Sequence, residues 1–420
     1  MSDGTRPTHA TGLRCVREGC AGRGSLEGGI TYVCPVCGAN LQVVYDYDAI
    51  RAAWSREALR DDPDLTIWRY APLYPVSSRV EELPIGWTPL LRAPRLAERL
   101  GLAPDRLLLK DDGRNPSASF KDRASAIALV RARELGFELV TGASTGNAAS
   151  STAVLGAAMG IRTRIFIPKA APRAKVAQLL AFGAEVLAVD GTYDNAFDLC
   201  LAATARFGWY NRNTGYNPFT REGKKSVSLE ICEQLGWEAP DLVVVPVGDG
   251  NIISGVWKGL TDLHAIGFID RLPRLLAVQA EGSDAVVSAL ERDDGRIEAV
   301  GGATVADSIS VSLPRDGEAA VQAVRASEGF GVRVSDEEIL AAIPEVARGA
   351  GVFGEPAGVA GYAGLKRAAA AGRIDPGWRV VVLVTGNGLK DVASVMRVAG
   401  EPREMPADPG ALERMFEQQG

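Results

Sequence analysis

The chain has 420 residues, a formal net charge of −6 and two histidines, His9 and His264. The acidic balance excludes a basic field for nucleic acid or an anionic membrane, and no apolar run reaches the roughly 18 residues of a membrane span. Two histidines leave almost nothing with which to build a Ser-His-Asp triad or a multi-histidine metal centre. We expect a cytoplasmic protein, because the N-terminus lacks the apolar core of a secretory signal. The length of the chain predicts two or three domains.

Residues 1–45 contain four of the six cysteines and are predicted to form a separate small module. Cys34 and Cys37 lie in "YVCPVCGANL", a strand followed by a Cys-x2-Cys knuckle, which is typical of half a zinc ribbon. Cys15 and Cys20 are spaced more widely, but still within the range of zinc pairs. Four thiolates in a reducing compartment favour a structural zinc over disulfides, and a degenerate, metal-free knuckle is the alternative.

Beyond a connector over 46–87, apolar strands alternate with amphipathic helices. Examples are "RLLLK" before "KDRASAIALVRARELG" and "FELVTG" before "NAASSTAVLGAAMG". Strands made almost wholly of Val, Ile and Leu are buried on both faces, as in parallel sheets covered by helices. The sequence therefore predicts an α/β fold with two doubly wound parallel-sheet domains, a smaller one over 88–206 and a larger one over 207–400, and a tail over 401–420.

Three loops lie where predicted strands end and helices begin, the place where α/β sheets bind ligands. "TGASTGNAAS" (141–150) could clasp a carboxylate at a helix N-terminus, or be an ordinary capping turn. "VVVPVGDGNIISGVWKG" (243–259) has the layout of a phosphate loop but matches neither the Walker nor the dinucleotide motif, so alone it is a weak signal. "VVLVTGNGLKD" (381–391) places Thr385 at a strand tip.

Lys121 lies at the predicted start of a helix, in "NPSASFKDRASAIAL". The helix dipole disfavours a cation there, so we expect a lowered pKa and a larger neutral fraction. A neutral amine is the form that attacks a carbonyl to give a Schiff base. The alternative is a surface lysine paired with Asp122 or Glu134, but the three binding-type loops favour a catalytic lysine.

Five segments in order, "NPSASFKDR", "ASTGNAAS", "PVGDGNIISGVWKG", "GAGVFGEPAGVAGYAGL" and "VTGNGLKD", resemble the threonine synthase family. These are pyridoxal-phosphate enzymes of fold type II, similar to the tryptophan synthase beta chain. The match runs from about Leu13 to Val398, and the ribbon is similar to that of many archaeal-type members. The resemblance implies pyridoxal 5'-phosphate as cofactor and a lyase that converts O-phospho-L-homoserine and water to L-threonine and phosphate. Because relatives of this fold are often dimers, it also implies a homodimer.

The resemblance also implies roles for the cofactor-binding residues. Lys121 would hold the cofactor as a Schiff base and then move protons, and Phe120 would lie beside it. Asn147 would hydrogen-bond the ring hydroxyl, and Thr385 would meet the pyridine nitrogen without holding it protonated. The cofactor phosphate would be bound by backbone amides of the glycine loop, namely Gly248, Asp249, Gly250, Asn251 and Ile252.

The substrate is implied to bind beside the cofactor. Its α-carboxylate would be cradled by Ser144, Thr145, Gly146 and Ala148. Many family members read Asn-Pro-x-Arg where this chain reads "NPFTREG", so the arginine expected on the substrate phosphate falls on Thr220. Arg221 next to it and Lys224 nearby could replace that arginine, since guanidinium and ammonium groups both bind phosphate.

Because Thr220 stands at the position of the expected arginine, other substrates remain alternatives. A sister enzyme of the same fold could perform a cysteate-synthase-like β-replacement on O-phosphoserine, or act as a serine/threonine dehydratase. A nicotinamide dehydrogenase would also suit an α/β chain with glycine turns. The missing third glycine of the dinucleotide motif counts against it, as does the lack of a suitably placed histidine.

Overall fold

The computed structural model describes residues 8–171 and 173–417. Residues 1–7 of the predicted N-terminal module, Pro172, and residues 418–420 of the predicted tail lie outside the described part. Three sheets organise the described chain: a small antiparallel one near the N-terminus, a six-stranded one that is parallel except at one edge, and a four-stranded parallel one. Within these residues no helix is both long and apolar enough to cross a membrane.

The N-terminal sheet has three antiparallel strands in the order β2-β1-β3. They span Ala10–Cys15 (β1), Arg23–Gly24 (β2) and Leu41–Tyr45 (β3). Alternate residues of β3 are buried, as expected for a strand with one face on a core. Leu13 and Val43 belong to the same apolar core as Ile127 and Val243, so the module packs on the α/β part of the chain.

The larger sheet has six strands in the order β12-β11-β10-β13-β5-β4. All its pairs are parallel except β4 with β5 at one edge. The strands span Leu90–Arg92 (β4), Leu107–Asp111 (β5), Leu242–Pro246 (β10), Arg274–Ala280 (β11), Phe330–Val334 (β12) and Val380–Val384 (β13). Every residue of β10 and β13 is buried, which explains their nearly unbroken Val and Leu sequences.

The smaller sheet has four parallel strands in the order β8-β7-β6-β9. They span Leu139–Ala143 (β6), Arg162–Pro168 (β7), Glu185–Val189 (β8) and Tyr210–Asn211 (β9). The α/β fold with two parallel sheets and a small N-terminal module is therefore confirmed.

Helices cover both parallel sheets and join the strands. Those before β6 span Tyr47–Ala53 (α1), Arg56–Arg60 (α2), Pro94–Arg99 (α3) and Lys121–Glu134 (α4). Those between β6 and β10 span Asn147–Met159 (α5), Arg173–Ala181 (α6), Tyr193–Phe207 (α7), Phe219–Lys224 (α8) and Ser226–Gln234 (α9). The later ones span Asn251–Ala265 (α10), Ala285–Glu291 (α11), Gly317–Ala326 (α12), Asp336–Ala350 (α13), Pro356–Ala370 (α14), Val392–Ala399 (α15) and Pro409–Glu417 (α16). Short 3-10 turns span Ile67–Leu73, Asp112–Arg114, Asp307–Ile309 and Gly388–Asp391.

The strand assignments differ from the predicted domain boundaries. Strands β4 and β5 belong to the larger sheet, although they fall in the predicted smaller domain over 88–206. Strand β9 completes the smaller sheet, although it lies beyond residue 206. The chain therefore begins the larger sheet, builds the smaller one from 139 to 211, and returns to the larger sheet.

A buried ion cluster fixes helix α4 to the body. Arg123 Nε donates to Asp112 Oδ2 at 2.7 Å, and Arg123 Nη2 donates to Glu230 Oε2 at 2.8 Å. Lys110 Nζ lies 2.8 Å from the same Glu230 oxygen. Burial alone would raise the pKa of Glu230, but Arg123 and Lys110 lower it to about 2. The cluster thus orients the helix that begins at Lys121.

Candidate active site

A cavity of about 790 Å³ lies between the two parallel sheets. Its wall includes the loops after β6 and β10 and the residue after β13, so the carboxyl ends of strands from both sheets face it. Ligands in open α/β sheets bind at these strand ends. The three loops that the sequence singled out therefore meet in one place.

Lys121 is the first residue of α4, and its side chain lines the cavity. The described residues offer its Nζ no hydrogen bond and no ion pair. Burial, and then the positive charge of Arg212, lower the pKa of Lys121 to about 8. A much larger fraction of this amine than of an ordinary lysine is therefore neutral near neutral pH, in a cavity where a carbonyl group could reach it.

Thr385 is tied directly to the segment that carries Lys121. The backbone N–H of Phe120 donates to the Thr385 carbonyl at 2.9 Å, and Ser119 bridges to Gly386. Thr385 lines the cavity. The Phe120 side chain is fully buried next to the lysine but is not part of the cavity wall, and the Arg123 guanidinium lies 5.7 Å from its ring centre.

The loop between β6 and α5 presents its backbone to the cavity. All the residues predicted to bind the substrate carboxylate line the wall here: Ser144, Thr145, Gly146 and Ala148. No described residue accepts a hydrogen bond from the backbone N–H groups of Thr145, Asn147 and Ala148. Free amides at the first turn of a helix are suited to a carboxylate.

Asn147 also lines the cavity, and its amide is held by Glu355. Asn147 Nδ2 donates to Glu355 Oε1 at 2.6 Å and to Ser308 Oγ at 3.3 Å. Glu355 is buried, and burial raises the pKa of its carboxyl group. The sequence prediction omitted Glu355, although the segment "GVFGEPAG" that carries it was among the motifs quoted.

The loop between β10 and α10 is built for close approach to an anion. Gly250 has a φ of +86°, and a Cβ on Gly248 would lie 2.8 Å from the Ile309 Cα. The five residues predicted to hold the cofactor phosphate are Gly248, Asp249, Gly250, Asn251 and Ile252. None of the described residues accepts a hydrogen bond from their backbone N–H groups. Unpaired amides at a helix N-terminus form a phosphate site.

Asp249 has a structural partner within this loop. Its Oδ1 accepts the backbone N–H of Arg315 at 2.6 Å, so the side chain is held by the backbone of a neighbouring segment. Burial raises the pKa of Asp249 to about 6, so its carboxyl group accepts a proton more readily than that of an exposed aspartate.

Among the described residues, four cationic side chains line the cavity: Lys121, Arg212, Lys224 and Arg315. Lys224 Nζ donates to Asn251 Oδ1 at 2.6 Å. Burial, and then the charges of Lys121 and Arg212, hold the pKa of Lys224 well below its ordinary value. Buried cations that destabilise one another in this way favour an anion between them. Sequence reasoning missed Arg212 and Arg315, whose segments carry no family motif.

Arg221 is placed differently from Lys224. Its guanidinium is ion-paired with Asp316, and the residue is not part of the cavity wall. Lys225 is also ion-paired, because its Nζ lies 2.6 Å from Glu222 Oε2 and 2.7 Å from Asp262 Oδ2. Of the two residues predicted to grip a substrate phosphate, only Lys224 therefore faces the cavity.

The four ribbon cysteines converge at a second site. The Sγ atoms of Cys15, Cys20, Cys34 and Cys37 all lie within 4.8 Å of one another. Four sulfur ligands about 2.3 Å from a tetrahedral zinc lie roughly 3.8 Å apart, so the cluster fits zinc. Cys15 to Cys37 is 3.5 Å and Cys20 to Cys34 is 3.7 Å between sulfur atoms.

The cavity also fits the cofactor that the sequence implied. It combines an unpartnered amine of lowered pKa with unpaired amides at a helix N-terminus. A hydroxyl at Thr385 and an amide at Asn147 complete the wall. A ligand with an aldehyde, a phosphate and an aromatic nitrogen matches this wall: the amine suits the aldehyde, the unpaired amides suit the phosphate, and the Thr385 hydroxyl suits the nitrogen.

A comparison with protein families gives the same result. The family model described as "Pyridoxal-phosphate dependent enzyme" matches residues 81–386. The chain belongs to this family. The matched span contains both parallel sheets and every residue of the cavity wall.

Individual proteins are similar over nearly the whole chain. A threonine synthase of Methanocaldococcus jannaschii is 37% identical, with 93% of this chain and 96% of the relative covered. A threonine synthase of Methanosarcina acetivorans is 36% identical, with 95% and 97% covered. Among solved structures, processed threonine deaminase isoform 2 of Solanum lycopersicum shares the fold, with a TM-score of 0.64 and 23% identity over 75% of this chain and 88% of that one.

Proposed function

We propose that this protein is a threonine synthase, a pyridoxal-phosphate-dependent lyase that converts O-phospho-L-homoserine and water to L-threonine and phosphate. The similarity to threonine synthases over 93–95% of the chain supports the reaction. The single structural observation that carries the proposal is the cavity in which Lys121 meets the unpaired amides of two helix N-termini. One set of amides suits a phosphate and the other a carboxylate.

The residues around the cavity suggest how the cofactor is held. Bound pyridoxal phosphate supplies an electron sink that makes hydrogens on neighbouring substrate carbons acidic. In our proposal Lys121 attaches it covalently, and the loop from Gly248 to Ile252 binds its phosphate. Asn147 orients the ring through its hydroxyl group, with Glu355 fixing the amide. Thr385 offers a neutral hydroxyl to the ring nitrogen, so this protein contact does not keep that nitrogen protonated.

Lys121 is also the proposed proton carrier. The net reaction breaks the bond between the γ-carbon and the phosphate oxygen, adds a proton at the γ-carbon, and adds a water hydroxyl at the β-carbon. Protons must leave the α- and β-carbons and return to carbon during this sequence. A buried amine whose pKa is about 8 can take and return such protons near neutral pH.

Lys224 and Arg212 are proposed to bind the substrate phosphate. Both line the cavity and are nearly fully buried, with 1% and 2% of their surfaces exposed. A bound phosphate favours the protonated form of Lys224, and the two positive charges then offset that of the leaving phosphate as the bond to the γ-carbon breaks. They would replace the arginine that many family members carry at the position of Thr220. Ser144, Thr145, Gly146 and Ala148 would hold the α-carboxylate.

A homodimer in the cytoplasm is part of the same proposal. Leu389, Val392 and Met396 are 73%, 50% and 45% exposed on α15 and the turn before it, which suits burial against a second copy. The four-thiolate cluster suits a reducing compartment. Sedimentation of the purified protein, compared with a Val392→Glu variant, tests the dimer; a monomeric wild-type protein would contradict it.

The substrate assignment is tested by a direct comparison of candidates. Purified protein loaded with pyridoxal phosphate is supplied in turn with O-phospho-L-homoserine, L-homoserine, O-phosphoserine, serine and threonine. We expect phosphate release and threonine only from the first. Oxo-acid and ammonia from serine or threonine, or turnover of O-phosphoserine alone, would reassign the protein to a sister enzyme of the same fold.

A further inference from the structure

Asp316 joins three separate parts of the molecule through one buried carboxylate. Its side chain is fully buried. Oδ1 accepts from Arg221 and, at 2.8 Å, from Asn40 Nδ2 of the N-terminal module. Oδ2 accepts from Asn251 Nδ2 at 2.8 Å and from Ser254 Oγ at 2.5 Å. Four donors therefore surround one carboxylate, two of them on the first turn of α10.

The backbone around Asp316 also supports the loop before α10. The N–H of Asp316 donates to the Asp249 carbonyl at 2.9 Å, and the N–H of Arg315 donates to the Asp249 carboxylate at 2.6 Å. A Cβ on Gly250 would lie 2.7 Å from the Asp316 carbonyl oxygen, so the two segments are in close contact. The Arg315–Asp316 segment thus holds the loop through the carbonyl and the carboxylate of Asp249.

Asn40 connects this support to the cysteine module. Its Nδ2 donates to the Arg315 carbonyl and to Asp316 Oδ1, both at 2.8 Å. Its own carbonyl accepts the N–H of Val16 at 3.0 Å, and it bridges to Val33, which precedes Cys34. Asn40 is therefore placed by the two chain segments that carry the cysteines.

A second contact between the module and this region is of a different kind. Arg17 pairs with Glu318 on α12, but the two side chains are 48% and 39% exposed. Exposed ion pairs contribute little because water screens them. A hydrogen bond from Asn40 to a buried carboxylate is stronger, since the acceptor is charged and shielded from solvent.

We propose that Asp316 is a positioning residue, and that Asn40 couples the cysteine module through it to the loop that binds the cofactor phosphate. The inference rests on the proposed role of the loop from Gly248 to Ile252. The module then acts at the active site without contributing a residue to the cavity wall. Loss of the Asn40 contact loosens the loop amides and weakens binding of the phosphate group, and leaves the rest of the cavity unchanged.

The test compares two ligands that differ only in the phosphate. Apoprotein is titrated with pyridoxal phosphate and with pyridoxal, with visible absorbance and intrinsic fluorescence as readouts. For Asn40→Ala we expect the Kd of pyridoxal phosphate to rise about tenfold, the effect of one lost hydrogen bond to a charged group, and the Kd of pyridoxal to stay unchanged. Arg17→Ala is the matched control from the same module, and both constants should stay at the wild-type values.

Two further variants separate a positioning role from a purely structural one. Asn40→Asp places a carboxylate against Asp316, so we expect a larger rise in the same Kd than for Asn40→Ala. Asp316→Asn keeps the shape and loses the charge, and it should show the same phosphate-specific effect if it folds. Equal losses for both ligands, or no change for Asn40→Ala, would overturn the inference. If the wild-type protein bound neither ligand, the proposed function itself would fail.

Discussion

The backbone N–H of Phe120 donates to the carbonyl of Thr385 at 2.9 Å. This bond ties the start of α4, which carries Lys121, to the end of β13 in the larger sheet. Lys121 and Thr385 are thereby held on the wall of one cavity although 264 positions separate them, the difference between their residue numbers. The main chain, rather than flexible side chains, therefore places the Lys121 amine, which suits an aldehyde, near the Thr385 hydroxyl, which suits a ring nitrogen.

The lowered pKa of Lys121 predicts a pH dependence for cofactor capture. The pKa falls from 10.5 to about 8, so the amine is protonated below about pH 8 and neutral above it. Only the neutral amine attacks an aldehyde. The rate at which apoprotein captures pyridoxal phosphate should rise through about pH 8 and then level off, as followed by stopped-flow absorbance.

The control for this measurement is Lys121→Ala, which should fold and give no covalent capture at any pH. An ordinary lysine would instead give a rate that rises to about pH 10.4. Such a profile, or capture by the alanine variant, would mean that a different amine reacts.

Removing the charge of Lys224 should weaken the use of the phosphorylated substrate. We expect Lys224→Met to lower kcat/KM for O-phospho-L-homoserine by about 10- to 100-fold, since a charge-assisted bond to a phosphate oxygen is lost. Lys366→Met is the matched control, because Lys366 is 53% exposed and pairs with Glu345 at the surface. The cofactor absorbance of both variants is recorded to separate substrate binding from cofactor loss. Wild-type kinetics for Lys224→Met would remove this residue from the substrate site.

Arg123 is expected to be critical for stability rather than for chemistry. Arg123→Met leaves the buried carboxylates of Asp112 and Glu230 without their main partner, so unfolding should become easier by about 3–5 kcal/mol. Urea denaturation followed by circular dichroism measures this difference. Arg162→Met should leave the urea midpoint unchanged, because that arginine is 71% exposed. A similar midpoint for both variants would show that the buried cluster is dispensable.

The cysteine cluster predicts one structural zinc per chain. Cys34→Ser, or treatment with a strong chelator, should release the metal and increase amide hydrogen exchange over residues 10–45. Val36→Ala is the matched control from the same knuckle, because Val36 is 72% exposed and offers no ligand atom. Elemental analysis gives the zinc content. Purified protein without metal and with a protected ribbon would support the metal-free knuckle.

Local sequence patterns indicated which loops would line the candidate site. Lys121, the loop from Gly248 to Ile252 and Thr385 each lie at a strand-to-helix junction, and such junctions are visible from composition and hydrophobic periodicity. Strands β6, β7 and β8 alternate with helices of normal length, and this is the part of the chain where the hydrophobic pattern is clearest.

Features that depend on distant contacts could not be predicted in the same way. Strand β9 has two residues and carries no periodicity, so the end of the smaller sheet was missed. Arg221 and Lys224 lie three residues apart in the sequence. Only the fold shows that Arg221 forms an ion pair with Asp316, whereas Lys224 lines the cavity. Arg212 and Glu355 reach the site from segments whose partners lie far along the chain.

The most direct test of the proposed reaction follows both products in labelled water. Holoenzyme is supplied with O-phospho-L-homoserine in water enriched in oxygen-18, and phosphate and amino acid are measured by mass spectrometry. The account predicts equal amounts of phosphate and threonine, with the label in the threonine side-chain hydroxyl and none in the phosphate. Label in the phosphate with homoserine as product would instead show simple phosphate-ester hydrolysis, and would contradict elimination at the γ-carbon followed by addition of water at the β-carbon.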